Sequence, residues 1–543
     1  MGVTGPRRLF SPLATAVRND NVRRVELAWG AAIAAEWGHF VALGVFAYEE
    51  GGAGAVGVAG LVRLLPAAFI APFAASLGDR FRRERFLLAL AATGAAALAA
   101  SAAAAFAGLV VLVFALAAVV GLASTLFRPA LQALLPSLAR TPEELIASNA
   151  ATSTIESLGM LVGPLAAGLL VAFADVGIVF AAGAGALVGA ALLLAHVTVE
   201  GRLPLASEGG NEPARRMIAR GFRVIATAPG ARLLVGLVVA QTFVRGCLNV
   251  LIVIAAFRLF DGGAAEVGYL TAAIGAGGLA GALGAMALEG RRLAFTFGVA
   301  LVFWGVPLVL IAPRPGFAAA LLLLAVVGAA NSVEDVAVFT LLQRLVPDDM
   351  LTRALGVLWG LAMGAVAVGS VAAPVLVEAV GPSAAFLAIG AMLPLLTLLS
   401  YRRLTEIDSV AAPVAELDLI KDVPMFAPLP IATKERLAAN LVPVAVAAGE
   451  PIVTLGAVGD RFYIVGSGEL HVDAANRQAT ARRTDYFGEI ALLRDVPRTA
   501  TVTAVVDSVV YALERDDFLA AVSGHSAARA AGRDVVEARL AGV

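Results

Sequence analysis

The sequence predicts an all-α membrane protein of twelve spans, built as two parallel six-span repeats, followed by a small β-rich domain with flanking helices. Three observations carry that expectation. Hydrophobic residues make up 60% of the 543 and charged residues only 15%, whereas a soluble globular chain is typically about 45–50% apolar and about 25% charged. The apolar character is uneven: residues 27 to about 400 read as membrane-like, and residues 404–543 as an ordinary soluble domain. The apolar part also repeats itself. Glu50-Gly51-Gly52-Ala53-Gly54-Ala55-Val56-Gly57 recurs as Asp261-Gly262-Gly263-Ala264-Ala265-Glu266-Val267-Gly268, at an offset of 211 residues. Leu131-Gln132-Ala133-Leu134-Leu135-Pro136 recurs at the same offset as Leu342-Gln343-Arg344-Leu345-Val346-Pro347, and Gly163-Pro164 answers to Ala373-Pro374.

A helix needs ~20 apolar residues to cross ~30 Å of hydrocarbon. On that ruler the spans fall at 27–48, 55–77, 86–104, 108–127, 149–173, 176–195, 232–257, 266–288, 294–312, 317–340, 354–379 and 382–400. The basic start, with Arg7, Arg8, Arg23 and Arg24, runs into the first apolar segment without a small-residue cleavage site, so that segment is taken as a span rather than a leader. Arginines also cluster at Arg80–Arg85, at Arg202–Arg223, at Arg291–Arg292 and at Arg402–Arg403, while the opposite turns hold only scattered ones such as Arg258 and Arg314. By the positive-inside rule both termini face the cytoplasm. The expected layout is a cytoplasmic N-terminus 1–24, a first half 25–195, a polar linker 196–231, a second half 232–403, a link 404–416 and a soluble domain 417–543.

Composition narrows the chemistry. The net charge of -1 offers no basic footprint for nucleic acid. The single cysteine, Cys247, excludes a disulfide framework and any Cys-based metal site. The four histidines are far apart in sequence, so no metal cluster is expected. No Walker A motif is present, so no ATP-driven step is expected, and no enzymatic reaction is expected. Ionisable residues inside spans cost several kcal/mol and are functional candidates by default. Those candidates are Glu36 and His39 in span one, Arg63 in span two, Glu156 in span five, Arg245 in span seven with Gln241 one turn earlier, and Glu334 and Asp335 in span ten beside Asn331 and Ser332. A buried carboxylate can carry a proton and an arginine can move its affinity. The alternative for each is a static ion pair that only fixes helix packing. His39 offers a proton shuttle or a satisfied polar contact.

Several of these features resemble the major facilitator superfamily, whose members are parallel six-plus-six repeats binding substrate between the halves. The loop Gly78-Asp79-Arg80-Phe81-Arg82-Arg83-Glu84-Arg85 is similar to that family's signature loop, in which an acidic residue and basic neighbours latch the cytoplasmic side. The resemblance makes Asp79 and Arg80 gating residues; topology charges are the other reading. Ala75 and Arg82 depart from the family's glycines. Gly159-x-x-x-Gly163-Pro164-x-x-Ala167-Gly168 is similar to the span-five motif of proton-coupled exporters in the family, and equally reads as a small-residue helix contact. Arg128-Pro129-Ala130-Leu131-Gln132-Ala133-Leu134-Leu135-Pro136, with Asn149 beyond it, resembles the siderophore-exporter and lysophospholipid-transporter branch. The resemblance implies a multi-pass protein of the bacterial inner membrane with a small-molecule substrate, monomeric or, alternatively, dimeric.

In the soluble part, short β-rich runs alternate with Gly-bearing turns at Gly449, Gly456, Gly459 and Gly468. Then comes Tyr486-Phe487-Gly488-Glu489-Ile490-Ala491-Leu492-Leu493, followed by Pro497-Arg498-Thr499-Ala500-Thr501-Val502. This segment resembles the phosphate-binding cassette of cyclic-nucleotide-binding domains, and the resemblance covers the whole tail. It places Gly488, Glu489, Ile490, Ala491, Arg498 and Thr499 at the ligand. The residue types suit it: a planar guanidinium grips two phosphate oxygens, and a carboxylate accepts a ribose hydroxyl. The expected ligand is cAMP, with cGMP as the alternative, and a β-roll that has lost binding is the bland reading.

Together these expectations describe a secondary transporter, a proton-coupled exporter of a small amphipathic molecule regulated by a cyclic nucleotide. A lipid or lysophospholipid flippase of the same fold is the alternative. A cyclic-nucleotide-gated channel is disfavoured, because Glu266-Val267-Gly268-Tyr269-Leu270 is no selectivity filter and no span carries arginine at every third position.

Overall fold

Alanine, leucine, valine and glycine fill the first 400 residues. In hydrocarbon such segments must satisfy every backbone N–H and C=O internally, which makes them helices. The structure, a computed structural model, describes residues 19–70, 82–138, 142–197, 214–285, 292–346, 348–409, 414–429, 431–474, 477–524 and 526–541. The chain divides into two compact units, Met1–Leu404 and Thr405–Val543.

The membrane unit contains helices α1 (Asp20–Ile70), α2 (Arg83–Phe106), α3 (Val110–Leu138), α4 (Pro142–Phe173), α5 (Val176–Ala195), α6 (Ala214–Thr227), α7 (Pro229–Arg258), α8 (Ala264–Ala285), α9 (Leu293–Ile311), α10 (Phe317–Leu345), α11 (Asp348–Val380) and α12 (Pro382–Ser409). Eleven helices among the described residues are long and apolar enough to cross a membrane. The first of them holds two crossings. As one straight rod its 51 residues would reach about 77 Å, more than twice the hydrocarbon thickness. Non-helical backbone at Gly51 (φ -157°) and Gly52 (φ 62°) breaks it, and Gly52 occupies a region that only glycine enters freely. Twelve crossing segments result, as the sequence predicts. Asp79 and Arg80 of the loop after the second crossing lie outside the described residues. Next to them, Arg82 Nε donates to Glu84 Oε1 at 2.7 Å.

Two details differ from the sequence expectation. The fourth span does not stop at residue 127 but continues through Arg128 and Pro129 to Leu138. The linker contains a helix, α6, with arginines at 215, 216, 220 and 223.

Small residues set the packing of the two halves. A Cβ on Gly163 would lie 2.9 Å from Trp37 Cβ and 3.2 Å from the Ala34 carbonyl oxygen, so α4 sits directly on α1. Farther along α4, a Cβ on Gly168 would lie 2.7 Å from Gly268 Cα of α8. The repeat-related crossing is α1 on α11, where a Cβ on Gly57 would lie 2.6 Å from Pro374 Cγ. Gly57 and Gly268 close the two copies of the duplicated motif, and Pro164 and Pro374 are likewise counterparts. The internal repeat is therefore the seam between the halves, formed twice. The span-five glycines thus make close helix contacts, with one end of the motif on α1 and the other on α8.

The second unit opens with α13 (Val414–Lys421), a 3-10 turn Pro424–Phe426 and α14 (Ile431–Ala439). Strands β1 (Val442–Val446), β2 (Pro451–Val453), β3 (Arg461–Ser467), β4 (Leu470–Ala474), β5 (Arg477–Ala481), β6 (Tyr486–Phe487), β7 (Ala500–Ala504) and β8 (Ser508–Glu514) form two antiparallel sheets, ordered β1-β8-β3-β6 and β2-β7-β4-β5. A short helix α15 (Glu489–Arg494) sits between β6 and β7, and α16 (Arg515–Gly524) and α17 (Ser526–Ala541) end the fold. Period-two alternation in β3 organises the core. Tyr463 and Val465 face the inter-sheet cluster with Leu470, Val502 and Val510. Phe462 and Ile464 face the helices with Phe426, Leu513 and Phe518. Phe462 stacks on Phe518 at 4.8 Å and meets Phe426 edge-on at 5.5 Å, so the leading turn and the trailing helix share one aromatic core.

Candidate functional site

Between the halves of the membrane unit lies a cavity of about 300 Å³. Span one contributes Trp37 and Phe40, span four Arg128, and span five Ser153, Glu156, Ser157 and Met160. The second half contributes Arg245, Asn249 and Ile252 from α7, Thr271 and Ile274 from α8, Trp304 from α9, and Asn331, Ser332 and Asp335 from α10. Two guanidiniums and two carboxylates thus share one chamber. Arg128 Nη1 donates to Glu156 Oε1 at 2.8 Å. Asn331 Nδ2 donates to Asp335 Oδ2 at 3.0 Å. Arg245 acts electrostatically on Glu156, Glu334 and Asp335.

Of the sequence candidates, Glu156, Arg245 and Asp335 line this cavity. Glu36 and Arg63 pair with each other at 3.3 Å and line two smaller spaces of about 20 and 30 Å³. Glu334 is 2% exposed, and its Oε2 has no partner among the described residues. His39 packs its ring on Phe180 at 5.5 Å, and neither of its nitrogens has a partner among the described residues; the satisfied polar contact allowed by the sequence is not formed. Gln241, one turn before Arg245, is buried with its Nε2 unpartnered among the described residues. Arg128, Trp37 and Trp304 were not among the candidates. The predicted span ended at residue 127, one residue before Arg128, and the two tryptophans have no motif to mark them.

In the tail, β6 ends at Phe487 and is followed by Gly488, which caps α15 with φ 94°. A Cβ there would lie 2.5 Å from Arg498 Nη1 and 3.0 Å from the Arg461 carbonyl oxygen, so both conformation and space require glycine. The Arg498 side chain is 3% exposed. Its Nη2 donates to the Arg461 carbonyl at 2.8 Å and to Asp460 Oδ1 at 3.2 Å, its Nη1 donates to the Gly488 carbonyl at 3.4 Å, and its guanidinium lies 5.7 Å from the centre of the Tyr463 ring. Glu489 is fully buried and accepts at Oε1 from Arg539 Nη1 at 2.8 Å, while its Oε2 has no partner among the described residues. Burial holds the Glu489 carboxyl above the usual carboxylate range, and the Arg539 guanidinium opposes that rise. Arg539 also donates to the Tyr486 carbonyl at 2.9 Å and covers the Tyr486 ring at 4.5 Å. Ala491 is buried, Ile490 half-buried and Thr499 exposed. The structure thus gathers the six cassette residues around one short turn. It adds Asp460, Tyr463 and Arg539; Arg539 lies 50 residues from its partner, beyond the reach of any local pattern.

A twelve-crossing bundle with a duplicated seam around a central polar cavity defines a transporter fold. The profile of the Major Facilitator Superfamily matches residues 27–358, and the chain belongs to that superfamily. The profile of the Cyclic nucleotide-binding domain matches residues 443–525, so the chain is a fusion of the two. The tail is 41% identical over 102 residues to the cAMP-dependent protein kinase regulatory subunit of Yarrowia lipolytica, covering 18% of this chain and 27% of that one. It is 42% identical over 87 residues to the corresponding subunit of Blastocladiella emersonii, covering 15% and 22%. The chain spans about a quarter of the length of these curated relatives. Among solved structures, the regulatory domain of Toxoplasma gondii PKA with cAMP is 26% identical over 23% of this chain and 49% of that chain, with a TM-score of 0.21.

Proposed function

We propose that this multi-pass membrane protein is a proton-coupled exporter of a small amphipathic molecule, regulated by cAMP at its tail. The observation that carries the transport reading is the cavity between the halves, with Arg128–Glu156 on one wall and Arg245 and Asp335 on the other. Rocking of the halves about this chamber would present it to each side in turn. Glu36, Arg63, Glu156, Arg245, Glu334 and Asp335 are the proton-handling set, and His39 is its outlier. Transport in proteoliposomes should collapse with an uncoupler and on neutralising Glu156 or Asp335. Full transport without a pH gradient would instead favour facilitated solute or lipid movement.

The nucleotide reading rests on the Gly488 turn beside the buried Arg498. The relatives that match the tail are cAMP-dependent, which favours cAMP over cGMP. Gly488, Glu489, Ile490, Ala491, Arg498 and Thr499 hold the ligand in this reading: Arg498 takes the phosphate and the free Glu489 oxygen the ribose hydroxyl. Coupling of the two units is tested by reciprocity. If cAMP alters substrate affinity, substrate must alter cAMP affinity by the same factor, and equal cAMP binding with and without saturating substrate would leave the domain uncoupled.

The arginine asymmetry supports a bacterial inner-membrane protein with both termini cytoplasmic. Reporter fusions at residue 205 and at the C-terminus should both read cytoplasmic; a periplasmic signal at either overturns that orientation.

A further inference from the structure

We infer that the cavity takes an amphipathic organic anion, held through its carboxylate or phosphate by Arg245 and the indole N–H of Trp304. The inference rests on the reading of this cavity as the substrate site and gives that substrate a charge.

The polar groups of the cavity are not equally occupied. Arg128 is committed to Glu156 at 2.8 Å, and Asp335 already accepts from Asn331 at 3.0 Å. Ser332 donates to the Gly278 carbonyl and Thr271 to the Val267 carbonyl, both at 2.8 Å. Each carboxylate therefore holds a donor. Four lining donors have no acceptor among the described residues: Arg245, Trp304, Asn249 and Ser153. The last two carry acceptor oxygens of their own, so Arg245 and Trp304 are the two pure donors. The Arg245 guanidinium makes no hydrogen bond or ion pair, although it lines the chamber. Trp304 is 2% exposed, lines the same chamber, and its Nε1 has no partner.

A buried N–H without an acceptor is costly and uncommon, and an indole nitrogen can only donate. A guanidinium likewise has donors and no acceptor. Both groups ask for the same thing, an oxygen-rich anionic group, and a carboxylate or phosphate suits the guanidinium fork. A cation would leave the Arg245 donors unmatched, and a neutral hydroxyl offers one uncharged acceptor where an anionic group offers the fork two charged oxygens. The remaining wall supplies the apolar half of the ligand: Trp37, Phe40 and Met160 from one half, Ile252, Ile274 and Leu279 from the other.

The test is calorimetry on the full-length protein in nanodiscs with four probes sharing one ring system: naphthoate, naphthyl phosphate, naphthylmethanol and naphthylmethylammonium. The two anions are expected to bind at least about tenfold tighter than the alcohol or the ammonium. Whether naphthoate or naphthyl phosphate is the tighter names the head group. Trp304→Phe, which keeps an aromatic ring and removes the donor, should weaken the anions about threefold to tenfold and leave naphthylmethanol unchanged. Arg245→Gln should abolish the preference for anions, and Arg245→Lys should restore part of it. Melting curves identify any variant that fails to fold, and the Trp304→Phe and Arg245→Lys proteins then decide. Equal or tighter binding of the ammonium, no binding of either anion, or unchanged anion affinity in folded Arg245→Gln overturns the inference. Failure of the transport reading looks different: naphthoate binds with the expected dependence on Arg245 but does not cross proteoliposomes. Movement of the ammonium alone would sink the anion inference and leave transport standing.

Discussion

Arg498 is almost fully buried, yet Asp460 beside it is 68% exposed, so in the proposed nucleotide site a ligand phosphate would compete with one solvated carboxylate for a guanidinium already held in place by two backbone carbonyls. Removing that guanidinium in Arg498→Ala should weaken cAMP binding by about 2 kcal/mol or more, roughly thirtyfold; unchanged affinity by calorimetry would contradict the cassette assignment. Glu489 and Arg539 make a second residue-scale case. Arg539→Ala strips the buried carboxylate of its cation, and leaving such a group unsatisfied costs about 1–3 kcal/mol. The tail of the full-length protein should become more open to limited proteolysis at neutral pH. The sign follows from the raised pKa. Ionising the buried carboxyl costs stability, so the defect should shrink as pH falls and Glu489 takes up its proton. A defect independent of pH would assign Arg539 a packing role on Tyr486 instead. The turn that brings Gly488, Glu489 and Arg498 together was legible in the sequence because the three lie within one short segment. Arg539 and Asp460 were not, because they reach the site from distant strands and helices with no spacing to announce them.

Elements show the same division between local and distant information. Glycine pairs marked the first turn correctly. Gly52 at φ 62°, ψ -154° should resist replacement, with Gly52→Ala costing about 1–3 kcal/mol and lowering the melting temperature of the purified protein. Gly54, at ordinary φ and with nothing closer than Glu378 at 4.0 Å to a new Cβ, should accept alanine with little change, so the pair separates backbone strain from crowding. The predicted span four ends at residue 127, yet α3 continues and carries Pro129 internally. A membrane helix tolerates such a proline because neighbouring helices and local adjustment satisfy the freed carbonyl. Ending the span at residue 127, while the helix runs on to Leu138, is what hid Arg128, the partner of Glu156. The linker helix α6 escaped notice for a different reason, since its arginines made it read as polar chain rather than as one amphipathic turn after another.

For the whole molecule, hydropathy and the internal repeat were enough to predict twelve crossings in two halves, because both are properties of long stretches. The cavity was only partly legible. Buried charges named Glu156, Arg245 and Asp335, but charge alone could not separate them from Glu36 and Arg63, which pair away from the main chamber. Only packing tells the two sets apart. The seam contacts Gly57–Pro374 and Gly168–Gly268 all fall within a few residues of helix ends on one side of the bundle, the side of the Gly51–Gly52 turn. In the orientation proposed above, with the arginine-rich loops cytoplasmic, that side would face outward. The halves are thus joined near that face and again deeper, where Gly275 meets Met160, so in the proposed orientation the chamber is expected to be chemically one-sided. Cys247 is buried against attack, so the native chain gives a quiet thiol background. A cysteine placed at Ser153 or Asn331 should react with a charged, impermeant maleimide in inverted vesicles and stay silent in right-side-out cells. Opening the seam with Gly268→Val, whose side chain would press on Gly168, should bring the outside reaction up; equal labelling from both faces would mean the glycine seam does not bar the way.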